Sequence, residues 1–159
     1  MYAFMTRVDN LVKWTLFFLM LAMVVDVTWQ VASRYVFMRP SSYTEEIARF
    51  LLIWISFLGG AYAFRKKMHL GIDLLTEKLS VDKQRIANLF SYVVSGLFAL
   101  LVLVFGGSQL TLLTWELEQV SGALGLPMAY VYSVIPMSGL LIVCYSLEFM
   151  IAEVRRGDC

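Results

Sequence analysis

Four long apolar runs, none with regular alternation, divide this chain. Residues 14–33 form the first, with Asp26 as its one charge, and residues 47–64 the second, with Arg49 near its start. Residues 89–113 and 128–147 carry no charge at all. A bilayer core of about 30 Å is crossed by roughly 20 helical residues, whereas the strands of a membrane barrel would alternate with a period of two. The pattern predicts an all-α integral membrane protein with four transmembrane helices in a single domain covering residues 1–159. Between the second and third runs, Met68, Ile72, Leu75 and Leu79 recur at helical spacing opposite His69, Asp73, Thr76, Glu77 and Ser80. That stripe predicts an amphipathic cytoplasmic segment lying along the inner leaflet.

Composition agrees. Of 159 residues, 60% are hydrophobic and 16% charged, and the mean hydropathy is +0.73. That is more apolar surface than a small soluble core can hide. A net charge of +1 argues against a nucleic-acid partner. Cys144 and Cys159 would lie about 22 Å apart on one helix, too far to bridge.

Charge placement orients the helices. Arg7 and Lys13 precede the first run. Arg65, Lys66, Lys67, Lys78, Lys83 and Arg85 lie between the second and third, and Arg155 and Arg156 follow the fourth. The other side holds Arg34, Arg39 and Arg49, and Glu116 and Glu118 mark the loop near Gly122. The positive-inside rule therefore expects both termini in the cytoplasm, with the loops near Pro40 and Gly122 facing outward. The first run exceeds a signal-peptide core and lacks a small-x-small site before Gln30, so it reads as an uncleaved anchor.

Local signals refine the boundaries. Ser42-Tyr43-Thr44-Glu45 fits a capping box, with Glu45 and Glu46 in the positive first turn and Arg49 four residues after Glu45. The third helix is expected from Val81 to about Glu118, beyond what the membrane needs. Residues 121–127 break the chain, and Pro136 should kink the fourth helix near Tyr132. Ser56 and Gly60, like Ser91, Ser95 and Ala99, have the small-residue spacing of close helix packing, read here as packing within the chain in preference to packing on a partner.

Candidate chemistry is sparse. One histidine, His69, excludes paired haem ligation by this chain, no metal-ligand cluster is present, and Gly59-Gly60 and Gly106-Gly107 lack the flanks of a phosphate loop. No cofactor is expected in this chain. Asp26, Gln30 and Arg34 share one helix face. A carboxylate at that depth costs at least about 2.5 kcal/mol, so it is either a coupling site for a proton or sodium ion or part of a structural polar seam. The seam is preferred, because a lone acid is thin evidence for transport; Gln30 could relay between Asp26 and Arg34, or Arg49 could approach from the second helix. Arg34, Arg39 and the Arg65-Lys66-Lys67 cluster suit lipid headgroups, and Trp29, Trp54 and Trp115 suit the membrane interfaces.

These residues also carry a family likeness. Arg34-Tyr35-Val36-Phe37, Pro40, Glu45-Glu46-Ile47-Ala48-Arg49, Phe57-Leu58-Gly59, Arg65-Lys66-Lys67, and His69 with Asp73 follow one another in order. Residues 26–75 thereby resemble the small membrane subunit of tripartite ATP-independent periplasmic (TRAP) transporters, the DctQ-like family. Tyr43 departs from the tryptophan more usual there. The resemblance implies a multi-pass, non-enzymatic subunit of the bacterial inner membrane in a sodium symport system importing organic acids of carboxylate or sialic-acid type. A periplasmic binding protein would deliver substrate. A large membrane subunit, expected as a separate polypeptide, would hold the substrate and sodium sites, and the small subunit would pack on it as a scaffold. Asp26, Gln30, Arg34, Glu45, Glu46, Arg49, His69 and Asp73 then become candidates for fixing the first hairpin and meeting the large subunit. The outward surfaces at residues 39–43 and 116–125 become candidates for docking the binding protein. Two alternatives predict different behaviour. A small four-helix proton-coupled exporter using Asp26 would transport alone, and a respiratory membrane anchor would show a haem spectrum.

Overall fold

The computed structural model describes residues 2–36, 38, 41–66 and 81–155. The amphipathic stripe at 68–79 lies outside them, as do Arg39, Lys67, His69 and Asp73. Helix α1 spans Tyr2–Tyr35 and α2 spans Ser42–Arg65. The third membrane helix comprises α3 (Val81–Phe98), a π-helical stretch (Ala99–Gly106) and α4 (Gly107–Glu116). The fourth comprises α5 (Met128–Tyr132) and α6 (Val134–Arg155), divided at Ser133. Four helices of the described residues are long and apolar enough to cross a membrane, and no strand forms among them beyond a single bridge between Val120 and Pro127. The division at Ser133 follows from Pro136, which has no N–H to give to the carbonyl four residues back.

The helices do not close around a central core. Helix α1 packs on α2, α2 packs on α6, and α6 packs on the third helix, while among the described residues the backbone of α1 does not come close to that of α6 or of the third helix. The spatial order is therefore first, second, fourth, third, in a layer one helix thick. Enclosure follows that order. In the most apolar window of each helix, 6% of the first and third is buried, against 17% of the second and 33% of the fourth. Lipid is as apolar as leucine, so such a layer gains little by hiding more side chains and is held by close approach and polar contact instead.

Glycines create the close approach between the third and fourth helices. A Cβ on Gly96 would stand 2.7 Å from Ser146 Oγ, and one on Gly139 would stand 2.7 Å from Leu103 Cβ. A Cβ on Gly107 would meet Ile135 Cγ2 at 2.7 Å and the Pro136 ring at 3.1 Å. The Ser146 hydroxyl donates to the Tyr92 carbonyl across the same seam. Leu103 and Val104, which face Gly139, belong to the π-helical stretch, where the Gly107 N–H reaches back five residues to Val102. Ala99, from the small-residue series of the third helix, is 1% exposed, in keeping with packing inside the chain. Ser56 and Gly60 differ: both are exposed, and a Cβ on Gly60 would meet nothing within 4 Å. The expected intrachain contact is absent there because both neighbours of α2 lie on its other sides.

Two local expectations at α2 resolve differently. The helix starts at Ser42, one residue before the Tyr43 start that a Ser42 cap would give, and the capping box does not form. Ser41 is the N-cap and makes no side-chain capping bond, and Glu45 turns to Arg49 at 3.6 Å instead. The Thr44 hydroxyl bonds back to the Ser41 carbonyl at 3.0 Å.

Replacing Gly139 by Leu is expected to destabilise the isolated chain by about 1–3 kcal/mol through overpacking against Leu103. Gly60→Leu, into open space, should not. Denaturant titration in detergent micelles, followed by circular dichroism, separates the two.

Candidate functional site

Two polar contacts pin α2, one at each end. At the end where the chain termini lie, the Arg65 guanidinium bridges the outer helices of its own neighbourhood. Its Nε donates to Asp9 Oδ2 of α1 at 2.9 Å. Its Nη1 and Nη2 donate to Glu148 of α6 at 2.8 and 3.4 Å, a two-pronged pairing. The Arg65 side chain is 16% exposed and that of Glu148 is 8% exposed. The planar fork of arginine suits this geometry, and a single lysine ammonium would not reproduce it. The guanidinium carbon also lies 5.2 Å from the Tyr145 ring centre and 5.5 Å from that of Phe149. Phe149 touches Phe64 of α2 and Tyr92 of α3, with ring centres 6.0 and 5.3 Å away. One cation thus links the first, second and fourth helices directly and reaches the third through Phe149.

At the other end, Glu46 holds the loop between the third and fourth helices. Its Oε1 accepts from the Gly122 N–H at 3.1 Å, and its Oε2 accepts from those of Ala123 and Leu124 at 3.0 and 2.8 Å. The loop is shaped to offer those three consecutive donors. Ser121 N–H bonds to the Leu126 carbonyl at 2.8 Å, Met128 N–H to that of Gln119 at 2.8 Å, and Gly125 adopts φ +65° to turn the chain. A carboxylate in such a nest of amides is a fixed anion on oriented dipoles.

The remaining candidates fall into separate places. Asp26 is half-buried, and its Oδ2 is buried with no hydrogen-bond partner among the described residues. Gln30 and Arg34 join Ser41 and Glu45 in a polar cleft of about 190 Å³ between the tops of α1 and α2. Glu45 and Arg49 form an exposed pair, with side chains 66% and 68% accessible. Trp29 and Trp115 are exposed, the latter edge-on to Tyr130 at 5.9 Å, and Trp54 is half-buried. Lys66 is exposed, with its Nζ over the Tyr62 ring at 5.5 Å. Arg65 parts from Lys66: the sequence groups it with the headgroup-binding cations, yet it points inward. Asp9 and Glu148 carried no sequence signal of their own, although their positions at the ends of two apolar runs, on the side of the chain termini, made them available partners for a basic residue at the end of a third.

The sequence matches the family model described as "Tripartite ATP-independent periplasmic transporters, DctQ component" over residues 23–156. It is 29% identical over 116 residues to the C4-dicarboxylate TRAP transporter small permease protein DctQ of Rhodobacter capsulatus, covering 73% of this chain and 51% of that protein. It is 27% identical over 130 residues to the sialic acid TRAP transporter small permease protein SiaQ of Vibrio cholerae, covering 82% and 73%. It is 31% identical over 144 residues to the isethionate TRAP transporter permease protein DctMQ of Oleidesulfovibrio alaskensis, covering 86% of this chain but 22% of that protein. The chain thus spans about half the length of the dicarboxylate relative and under a quarter of the isethionate one.

Arg65→Met should remove about 3–5 kcal/mol of stability, because it strands two acids in a largely enclosed site. Unfolding in mixed micelles measures it, and a triple Asp9→Asn, Arg65→Met, Glu148→Gln variant should recover part of the loss. Glu46→Ala should speed hydrogen exchange at Gly122, Ala123 and Leu124 while leaving exchange in α6 unchanged, as read by mass spectrometry.

Proposed function

This chain belongs to the DctQ component family of TRAP transporters, as a small permease subunit related to transport proteins rather than enzymes, and from that premise we propose that it is a static scaffold for the large transport subunit of its own system. The observation that carries this reading is the double pinning of α2. Arg65 holds it to α1 and α6 at one end, and Glu46 holds it to the far loop at the other. A helix fixed at both ends is suited to holding depth and tilt, and poorly suited to moving. A layer one helix thick also leaves broad faces that lipid alone need not cover.

In this reading the large subunit carries the substrate and sodium sites and moves against the frame. The system is a sodium symporter for organic acids, of carboxylate or sialic-acid type, brought by a periplasmic binding protein. The termini and the Arg65 cluster face the cytoplasm, which is supported by the basic residues at that end. The Glu46-bound loop faces the periplasm, where Glu116 and Glu118 stand beside exposed Trp115 and Val120. That surface, together with the 39–43 segment, is offered to the binding protein. Ligation of sodium is assigned to the large subunit and none to this chain.

Reconstitution tests the proposal. Proteoliposomes would contain this chain, the large subunit, or both, with the binding protein and a radiolabelled C4-dicarboxylate or sialic acid outside, under an inward sodium gradient. Uptake is expected only with both membrane chains present, and it should collapse when the gradient is dissipated. Full uptake by the large subunit alone would defeat the scaffold role. Uptake by this chain alone would return Asp26 to consideration as a coupling site.

A further inference from the structure

The second helix is covered almost everywhere. Between Thr44 and Arg65 the exposed residues are Glu45, Arg49, Leu52, Ser56 and Gly60. At about 100° per residue these five fall within an arc of about 80°, so they form one continuous stripe. Every other residue of that segment is half-buried or buried. The stripe runs from a charged pair at the loop end, past Leu52, to two small residues deeper in the span.

Three observations on this stripe point the same way. Gly96, Gly107 and Gly139 each receive a neighbouring helix so closely that a Cβ would stand 2.7 Å from it. Gly60 has the same small-residue setting, with Ser56 one turn before, and receives nothing within 4 Å from the described residues. Acyl chains gain little from such a groove, whereas a helix backbone fits it. Second, the Glu45–Arg49 pair keeps both side chains about two-thirds exposed, although α6 and α1 cover the rest of the helix. Third, Glu45 also lines the 190 Å³ polar cleft with Gln30, Arg34 and Ser41, so the stripe opens at its head into a socket with both an anion and a cation in its wall.

We propose that the Glu45–Arg49–Leu52–Ser56–Gly60 stripe of α2 is where a membrane helix of the large transport subunit lies against this chain, placing a polar side chain in the Gln30–Arg34–Ser41–Glu45 cleft. The proposal rests on the scaffold reading above and adds the face to it. The occupant is a protein helix of that subunit because a relative joins the matching segment to a much longer permease chain: the match takes up 22% of the isethionate permease protein. The assignment also divides the residues that the sequence grouped together. Glu46 serves the fold from inside, and its neighbours Glu45 and Arg49 serve the contact from outside.

The test co-expresses this chain with the large subunit of its own system, purifies through a tag on the large subunit, and quantifies the small chain recovered. Gly60→Trp and Ser56→Trp should lower recovery about tenfold, the effect of about 1.4 kcal/mol. Leu101→Trp, at a comparably exposed apolar site on the third helix, should not. A Cβ at Gly60 meets nothing within 4 Å and Ser56 is exposed, and circular dichroism of the isolated variants checks their folding. Undiminished recovery of Gly60→Trp, or equal loss in all three variants, would overturn the assignment. Failure of the unaltered chain to co-purify would strike the scaffold reading itself. A fold-independent check places benzophenone-maleimide on Gly60→Cys in a Cys144→Ser, Cys159→Ser background within the assembled complex. An adduct with the large subunit supports the contact, and adducts only with lipid or with a second copy of this chain would overturn it.

Discussion

The arrangement depends on one guanidinium. In water, four apolar helices would be driven together by the surface they hide, but in a bilayer that drive is gone. What remains is packing where backbones approach closely, and polar contact where hydrocarbon offers no substitute. Arg65 supplies the second kind at the meeting point of three helices, with Asp9 and Glu148 as its ligands and the rings of Tyr145 and Phe149 as its walls. Among the described residues the backbone of α1 approaches that of α2 alone, so the Asp9 contact ties its end to a pair that reaches on to α6. Glu46 gives the opposite end a comparable fixed point without using any cation of its own.

Much of the architecture was legible in the amino-acid pattern because the bilayer imposes it. Run length alone located four membrane helices, and the proline at 136 located the division of the fourth. The order of the helices in the layer was not legible, since a lipid-facing leucine and a partner-facing leucine look alike in sequence. Arg65 shows a second limit. It sits in a row with Lys66 and Lys67, and nothing in that row distinguishes the cation that turns inward from Lys66, which stays exposed. What distinguishes it is the position of two acids 56 and 83 residues away. The Ser42–Glu45 capping signal failed for a related reason. Glu45 had a nearer cation in Arg49, and the adjacent Glu46 was claimed by the amides of a loop more than 75 residues on.

The candidate residues divide by burial more cleanly than by motif. Glu46 and Arg65 act within the chain. Glu45, Arg49, Ser56 and Gly60 stand outside it, and Asp26 lies within the first span with one oxygen hidden and unpaired among the described residues. A small membrane subunit has few residues to divide between holding its own shape and meeting a neighbour. Here the two tasks alternate along a single helix, sometimes between consecutive positions.

The one-helix-thick layer has an evolutionary corollary. Fully enclosed apolar positions are few, among them Leu58, Ala61, Ala99, Val134 and Tyr145. The many positions that face hydrocarbon must remain apolar, but their shapes are hardly constrained by one another. Substitutions among leucine, valine, phenylalanine and methionine should therefore accumulate there with little consequence. Lineages of such a chain can lose most of their residue-by-residue likeness while retaining the same frame. The lasting record of common descent would then be a handful of charges and glycines, the positions for which the bilayer offers no equivalent.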